Sequence, residues 1–148
     1  MEASMKISTK GRYALRIMLD LAMNDRSQLV PLKAIAARQN ITVKYMEQIM
    51  TPLSRAGFVT SERGANGGYR LSRSPENYRV GDILRVMEGS IVPVACLEDN
   101  AASCANADNC VTLSFWRGLQ KVIDDYVDSK TLADLKDEYL ASQSDFSI

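Results

Sequence analysis

Three cysteines are the residues whose type and spacing first suggest a chemistry for this chain. Cys96, Cys104 and Cys110 lie in the segment CLEDNAASCANADNC, where Ala, Ser, Asn and Asp surround the last two of them. This composition cannot build a hydrophobic core and predicts an exposed loop. Thiolates bind zinc and iron–sulfur units, and a flexible loop can wrap around either. The spacing alone leaves two interpretations open, ligands of a metal or cluster and incidental cysteines.

Structural disulfides and catalysis are less favoured explanations. The start of the chain, MEASMKISTKGRY, lacks the apolar segment of a secretory signal, and no apolar run approaches the ~20 residues of a membrane span. We therefore expect a cytoplasmic protein, in which disulfides are uncommon. The chain contains no histidine for base catalysis, and it has neither a phosphate-binding loop nor a nucleophile motif. We expect that it is not an enzyme.

A second group of chemically active side chains lies on a helix predicted to begin after Thr42, a residue that can cap it. Apolar residues recur at the spacing of one buried helix face: Met46, Ile49, Met50 and Leu53. The other face carries side chains that can hydrogen-bond to phosphates or base edges: Lys44, Gln48, Thr51 and Arg55, with Tyr45 and Glu47 beside them. This face predicts contact with DNA, and an ordinary solvated surface is the alternative explanation.

Two short strands are predicted directly after this helix, at residues 58–63 and 69–71. The turn between them contains Gly64, Gly67 and Gly68, which accept the backbone conformations of a tight hairpin. Arg63 stands at the base of the turn, and Tyr69 opens the second strand. With a short helix at residues 31–38, this pattern predicts a winged helix-turn-helix.

Charge is distributed unevenly, although the formal net charge of the whole chain is zero. Residues 6–73 contain twelve Lys and Arg against four Asp and Glu, a net charge of +8, whereas residues 74–148 contain six against thirteen, a net charge of −7. This asymmetry is typical of a protein of which one part meets a polyanion. Lys10 and Arg12, in the first turn of a helix predicted at residues 10–23, are placed to hold a DNA phosphate.

The C-terminal part predicts helices at residues 80–88, 111–127 and 131–139. The longest carries one apolar stripe formed by Trp116, Leu119, Ile123 and Val127, and a neighbouring stripe formed by Phe115, Val122 and Tyr126. A wide core face would explain both stripes, but they exceed what one small domain needs to cover. We therefore favour a helix that crosses its symmetry mate in a homodimer.

Together these patterns predict a mostly α-helical fold with a small β-wing, a winged helix-turn-helix domain followed by a long C-terminal dimerisation helix. The predicted DNA-binding domain spans residues 5–90 and the cysteine loop residues 91–110. The dimerisation helix and a short C-terminal helix occupy residues 111–140, and residues 141–148 form a tail.

Four segments of the sequence resemble the Rrf2 family of bacterial transcription regulators. They are STKGRYAL at residues 8–15, KYMEQIM at 44–50, RGANGGYRL at 63–71 and VGDILRVMEG at 80–89. The likeness is collinear from about residue 5 to residue 135. It implies a homodimer that binds double-stranded DNA at an inverted-repeat operator. It also implies that the polar helix face enters the major groove while Arg63 and the glycine wing enter the minor groove.

The resemblance also bears on the cysteine loop. IscR-like and NsrR-like members carry three cysteines at this position as ligands of an iron–sulfur cluster, whereas CymR-like members carry none. By matching position, Cys96, Cys104 and Cys110 are implied as the ligands of a cluster, with 2Fe-2S preferred. IscR-like members place a histidine three residues after the last cysteine, where this chain has Leu113. The fourth ligand is therefore open, and the oxygen donors available nearby are Asp99, Asp108 and Ser114.

The implied function is a dimeric transcription regulator, expected to act as a repressor, that senses iron–sulfur cluster status through its three-cysteine loop. Two other regulators stay open: a CymR-like regulator of cysteine and sulfur metabolism without a cluster, and an NsrR-like nitric-oxide sensor. A metal or redox protein whose winged domain binds protein is the alternative from a different class.

Overall fold

The computed structural model describes residues 6–97 and 111–145 of the chain. Within these ranges six α-helices and two β-strands follow one another: α1 Thr9–Ala22, α2 Leu32–Gln39, α3 Val43–Arg55, β1 Val59–Glu62, β2 Gly68–Leu71, α4 Val80–Glu88, α5 Leu113–Ser129 and α6 Leu132–Asp145. Short 3-10 turns lie at Pro75–Asn77 and Ala95–Leu97. The predicted class, mostly helical with a two-stranded wing, is confirmed.

Local capping chemistry sets the ends of the two helices that matter most for function. The Ser8 hydroxyl accepts a hydrogen bond from the Gly11 amide at 3.0 Å and starts α1. The Thr42 hydroxyl accepts from the Tyr45 amide at 3.1 Å and starts α3. Gly57, with φ of +75°, follows the end of α3 in the left-handed conformation that glycine allows. The Thr42 cap, which the sequence predicts, is confirmed.

A single hydrophobic cluster holds the N-terminal helices and the wing together. Its fully buried large side chains come from five helices, from β2 and from the residue two positions before α4: Ile17, Met18, Ile35, Met46, Ile49, Met50, Leu53, Leu71, Tyr78, Ile83 and Leu132. Burying such a side chain contributes about 1.5–3 kcal/mol. The predicted buried face of α3 lies in this cluster, so the opposite face of α3 is available to a partner.

The wing is an antiparallel hairpin that is fastened to the loop before α2. Val59 pairs with Leu71 and Glu62 with Gly68. Val30 and Tyr69 exchange two backbone hydrogen bonds of 2.8 and 2.9 Å, which extends the hairpin by one short bridge. A β-carbon at Gly68 would overlap the Val30 carbonyl, so this position requires glycine for close backbone packing.

Tyr78 anchors the chain where it leaves the wing. Its hydroxyl donates to the Phe58 carbonyl at 2.6 Å and accepts from the Arg73 amide at 3.0 Å. The Phe58 and Tyr78 rings meet edge to face at 5.5 Å, and the Arg73 guanidinium lies 5.1 and 4.7 Å from their centroids. The base of the wing is therefore fixed by a buried hydroxyl and a cation–π contact.

Tyr78→Phe is expected to lower the free energy of unfolding by about 1–3 kcal/mol, because the Phe58 carbonyl and the Arg73 amide both lose a partner. Urea unfolding measures the change. Tyr139→Phe removes the same hydroxyl from an exposed ring on α6 and is the matched control. Equal stability of the two variants would show that the Tyr78 hydroxyl does not brace the wing.

Helices α5 and α6 return to the N-terminal part by different contacts. The Val80 amide donates to the Lys130 carbonyl, and the Leu132 amide donates to the Tyr78 carbonyl, both at 2.9 Å. Leu132 is fully buried, whereas α5 buries none of its residues. Phe115, Val122 and Tyr126 are each more than 60% exposed. Of the two stripes predicted on this helix, only theirs is largely solvent-exposed.

The last helix differs in length from the prediction. It runs to Asp145, whereas the sequence pattern ended it at residue 139 and treated residues 141–148 as a tail. The prediction relied on apolar repeats, and an exposed helical turn of Ala141, Ser142 and Gln143 needs none because no Gly or Pro interrupts it. Residues 146–148 lie outside the described residues. In the described ranges, no helix combines the length and apolarity needed to cross a membrane.

Candidate nucleic-acid interface

The exposed face of α3 carries three of the predicted base-reading side chains. Lys44, Glu47 and Gln48 are all solvent-exposed, while the apolar residues on the opposite face of the helix are buried in the core. The Thr51 hydroxyl donates to the Glu47 carbonyl at 2.9 Å, so it is engaged with the helix itself. The arrangement presents one cation, one anion and one amide on a rigid helix, which suits major-groove readout.

A groove of about 510 Å³ separates the wing from the start of α2 and α3. Pro31, Lys33 and Val43 line one wall, and Ser61 to Gly64 with the following glycines line the other. Arg63 and Gly64 are exposed at the wing tip, and Gly64 has φ of +118°. Gly67 is half-buried, and a β-carbon there would overlap the Glu62 carbonyl. Glycine therefore keeps the wing tip thin, with Arg63 exposed beside it.

Other residues predicted to bind DNA are engaged in contacts within the protein, which limits their direct contact with DNA. The Thr42 oxygen accepts from the backbone, and the half-buried Tyr45 ring meets Tyr13 edge to face at 5.8 Å. Gly68 is buried beneath Val30, and Tyr69 is half-buried with both backbone groups paired to Val30. These residues shape the surface, whereas Lys44, Gln48 and Arg63 are free to reach out from it.

The start of α1 exposes both predicted phosphate-binding cations. Lys10 and Arg12 are solvent-exposed, and Arg12 Nη2 donates to Thr9 Oγ1 at 3.0 Å. The cap of this helix is already engaged by a carboxylate, because Glu88 Oε1 accepts from the Ser8 amide at 2.8 Å and from its hydroxyl at 2.6 Å. A phosphate near α1 would therefore be held by the two side chains more than by the capped helix end.

Sequence reasoning missed several residues that position this surface. Asp20, with a side chain only 7% exposed, accepts two hydrogen bonds from Arg38 Nε, one from Nη2 and one from Gln39, and so fixes α2 on α1. The bond to Asp20 raises the pKa of Arg38. Arg26 binds the Ser72 carbonyl and the Ser74 hydroxyl just beyond the wing. Only long-range packing reveals these pairs, since the partners lie 18 or more positions apart.

One of the three predicted cysteine ligands lies in the described part of the chain. Cys96 is a free, exposed thiol in the 3-10 turn Ala95–Leu97. Cys104 and Cys110, with the oxygen donors Asp99 and Asp108, lie outside the described residues; Ser114 is exposed in the first turn of α5. In residues 6–97 and 111–145, no group of three His, Cys, Asp or Glu side chains is placed to hold a metal ion.

A polar network joins the chain just before Cys96 to α4 and α5. Gln120 Nε2 donates to the Ile91 carbonyl at 2.8 Å and to Asp124 Oδ1 at 2.9 Å. Arg85 binds Asp124 at 3.1 Å and Asp128 at 2.7 and 3.0 Å. The hydrogen bond from Arg85 lowers the pKa of Asp128. The stabilisation from this pair is therefore in place above the ordinary aspartate pKa and is lost only as the pH falls through the lowered one.

An exposed polar recognition helix, a glycine-rich wing beside it and a basic N-terminal half define a winged-helix DNA-binding protein. The sequence profile of the Rrf2 family, described as iron-dependent transcriptional regulators, matches residues 7–138. The chain belongs to this family, and the resemblance stated from the sequence is confirmed.

Relatives of two kinds share this similarity. CymR of Bacillus subtilis is 43% identical over 131 residues, covering 88% of this chain and 89% of the relative. IscR of Vibrio campbellii is 36% identical over 142 residues, covering 95% and 83%. Both are named transcriptional regulators, which are not enzymes, so the expectation of a non-enzymatic protein is confirmed by its relatives.

Solved structures show the same two kinds of neighbour. The structure of T. potens IscR superposes with a TM-score of 0.75 at 40% identity, covering 93% of this chain and 90% of that one. The structure of CymR, the global cysteine regulator of B. subtilis, superposes with a TM-score of 0.73 at 42% identity, covering 90% and 97%. The wing and the C-terminal helices of this chain thus belong to a known winged-helix architecture.

Proposed function

We propose that this protein is a dimeric transcriptional repressor that reads an inverted-repeat operator and senses iron–sulfur cluster status through its cysteine loop. The observation that carries the proposal is the exposed polar face of α3 beside the glycine wing, on the part of the chain with a net charge of +8. The fold family supports DNA binding itself, and the cytoplasm is the compartment in which such a regulator would act.

The proposed contacts are of two kinds, those that recognise the base sequence and those that bind phosphates. Lys44 and Gln48 donate to base edges in the major groove, and Arg63 enters the minor groove from the wing. Lys10 and Arg12 hold phosphates, which fixes register without reading sequence. The supporting observation is that all five side chains are solvent-exposed. DNA binding is assigned to residues 5–90, as the sequence predicted.

The proposed dimer uses the exposed apolar stripe of α5 together with Val111, which lies two positions before the helix. Val111, Phe115, Val122 and Tyr126 recur every four or seven positions and are 63–94% exposed. Exposing an apolar stripe of this size to water is unfavourable in free energy. In a dimer with two-fold symmetry, the same helix of the second copy would bury it. Two reading heads related by that symmetry match an inverted repeat. Dimerisation is therefore assigned to residues 111–140.

The donor set of the loop fits an iron–sulfur cluster. Three cysteines and no histidine leave thiolates as the dominant ligands, and thiolates are the ordinary ligands of such clusters. Cys96, Cys104 and Cys110 would hold the group, and 2Fe-2S is the preferred type. A bound cluster would supply a site sensitive to iron supply and oxidation. This chain would supply the thiolates and, through residues 91–110, a link between α4 and α5.

A CymR-like regulator without a cluster is the second candidate function. It is favoured by the relative CymR, which is at least as similar in sequence as the IscR relatives. In that case the DNA-reading surface would work in the same way, and the signal would act elsewhere. An NsrR-like response to nitric oxide would use the same three cysteines as the main proposal.

In vitro selection from a pool of random duplexes tests the DNA-reading part of the proposal. Wild-type protein is expected to enrich an inverted repeat whose half-sites lie about one or more helical turns apart. Recovery of unrelated sequences with no shared motif would contradict site-specific reading. A protein that enriches nothing at moderate salt would favour the alternative class, a metal or redox protein that binds other proteins.

Glu47→Ala is expected to broaden the set of selected sequences. Glu47 is exposed on the DNA side of α3, where its charge repels phosphate. It is useful there if it accepts a hydrogen bond from a cytosine amino group or rejects wrong bases. The discrimination lost is expected to be about 1–3 kcal/mol at one position of each half-site. Glu76→Ala, also exposed but beyond the wing, is the control, and an unchanged motif in Glu47→Ala would remove Glu47 from the readout.

A further inference from the structure

Polar side chains in the last two turns of α4 bind two different parts of the chain. Arg85 lies in one turn and binds Asp124 and Asp128 of α5 at 2.7–3.1 Å. Asp124 also accepts from Gln120, whose amide holds the Ile91 carbonyl at 2.8 Å. The chain that leads from α4 to Cys96 is thereby tied to the same carboxylate as α4 itself.

The next turn of α4 reaches in the opposite direction, to the start of α1. Glu88 accepts hydrogen bonds from both the amide and the hydroxyl of Ser8, at 2.8 and 2.6 Å. Ser8 in turn caps α1 through the Gly11 amide. A carboxylate at a helix N-terminus also interacts favourably with the helix dipole. Glu88 therefore holds the residue that begins α1, two positions before Lys10.

Gly11 shows that the local sequence accommodates this contact. It lies in the first turn of α1 and is buried. A β-carbon at Gly11 would overlap Glu88 Oε1 and press on Ile7. No positive φ angle accounts for the glycine, since Gly11 is helical. In this structure the Glu88 carboxylate and the Ile7 side chain occupy the space that a side chain at position 11 would need.

We propose that Glu88 is a positioning residue that sets the DNA-contacting start of α1 and ends a relay from Ile91 through Gln120, Asp124, Arg85 and α4. The relay joins the segment before Cys96 to the turn that carries Lys10 and Arg12, so a shift in that segment changes how firmly the two cations are held. This inference rests on the proposed function, in which Lys10 and Arg12 bind DNA phosphates. Its physical basis is a continuous set of hydrogen bonds and one rigid helix.

Binding to a random-sequence duplex of about 30 base pairs tests the proposal, because phosphate contacts are independent of sequence. Glu88→Ala is expected to bind about five- to tenfold more weakly than wild type. The slope of log affinity against log salt concentration, measured between about 50 and 200 mM, is expected to correspond to about one to two fewer phosphate contacts. Gly11→Ala adds one methyl group at a helical position and is expected to weaken binding in the same way, although alanine favours the helix. Glu76→Ala removes an exposed glutamate outside the relay and should behave as wild type.

Thermal unfolding separates positioning from stability. Glu88→Gln keeps a hydrogen-bond acceptor at the same distance from the backbone, and its duplex affinity is expected to fall between those of wild type and Glu88→Ala. This second variant keeps the test usable if Glu88→Ala does not fold. A folded Glu88→Ala with wild-type affinity and salt slope would overturn the proposal. A wild-type protein that binds no duplex would instead overturn the proposed function, so the two failures are distinguishable.

A double-mutant cycle tests the far end of the relay. Gln120→Ala frees the Ile91 carbonyl without touching α1. If the relay operates, Gln120→Ala is expected to change duplex affinity less in the Glu88→Ala background than in wild type, because the contact between Glu88 and Ser8 is already lost. Effects that multiply independently would overturn the relay.

Discussion

Val122→Asp is expected to convert the protein to a monomer and to weaken binding to a selected inverted repeat by about 100-fold or more. Val122 lies at the centre of the exposed apolar stripe of α5 and is 64% exposed. In the proposed dimer each copy would bury an unpaired carboxylate, which costs about 3–5 kcal/mol. Loss of the second reading head then removes the avidity of two linked half-sites.

Sedimentation or light scattering at micromolar protein measures the assembly state, and a duplex titration measures affinity. Arg117→Asp is the control, because Arg117 is exposed on the opposite side of α5 and its substitution makes a larger change in charge. Arg117→Asp is expected to remain a dimer. A dimeric Val122→Asp with wild-type affinity would show that this stripe is not the interface.

Cys104→Ala is expected to abolish most of the visible absorption that anaerobic reconstitution with iron and sulfide gives the wild-type protein. A cluster that loses one of three thiolate ligands keeps too few strong donors in a chain without histidine. Ser103→Ala alters the neighbouring residue of the same loop and is expected to load like wild type. Equal loading of wild type and Cys104→Ala would remove Cys104 from the ligand set.

Failure of the wild-type protein to take up iron would have a wider meaning. The cysteine loop would then not be a cluster site, and a regulator of the CymR kind would be the better description. The proposed DNA-reading surface does not depend on this outcome, since its residues lie in the N-terminal part of the chain.

The fold was largely predictable because its signals are local. The cap at Thr42, the buried face of α3 and the glycines of the wing each act within a few residues, and the structure confirms them. The boundary of α4 was also predicted, at Val80–Glu88. The end of α6 was missed because its exposed turns carry no apolar repeat.

The positioning contacts were not predictable from pattern alone. Glu88 and Ser8 lie 80 positions apart, and Arg85 and Asp128 lie 43 apart. In the sequence each of these residues is an ordinary polar or charged surface residue, and only the fold brings its partner near. The stripes of α5 show the same limit, since only packing shows that Val122 is exposed while Ile123 is half-buried.

The most direct test of the central claim is the affinity of one selected duplex for the protein with and without its reconstituted cluster, measured anaerobically at a fixed salt concentration. We predict that cluster loading changes this affinity by about 5- to 150-fold, the usual range for coupling between two sites. Equal affinity of the two forms for every selected duplex would contradict the claim that the cysteine loop controls DNA binding.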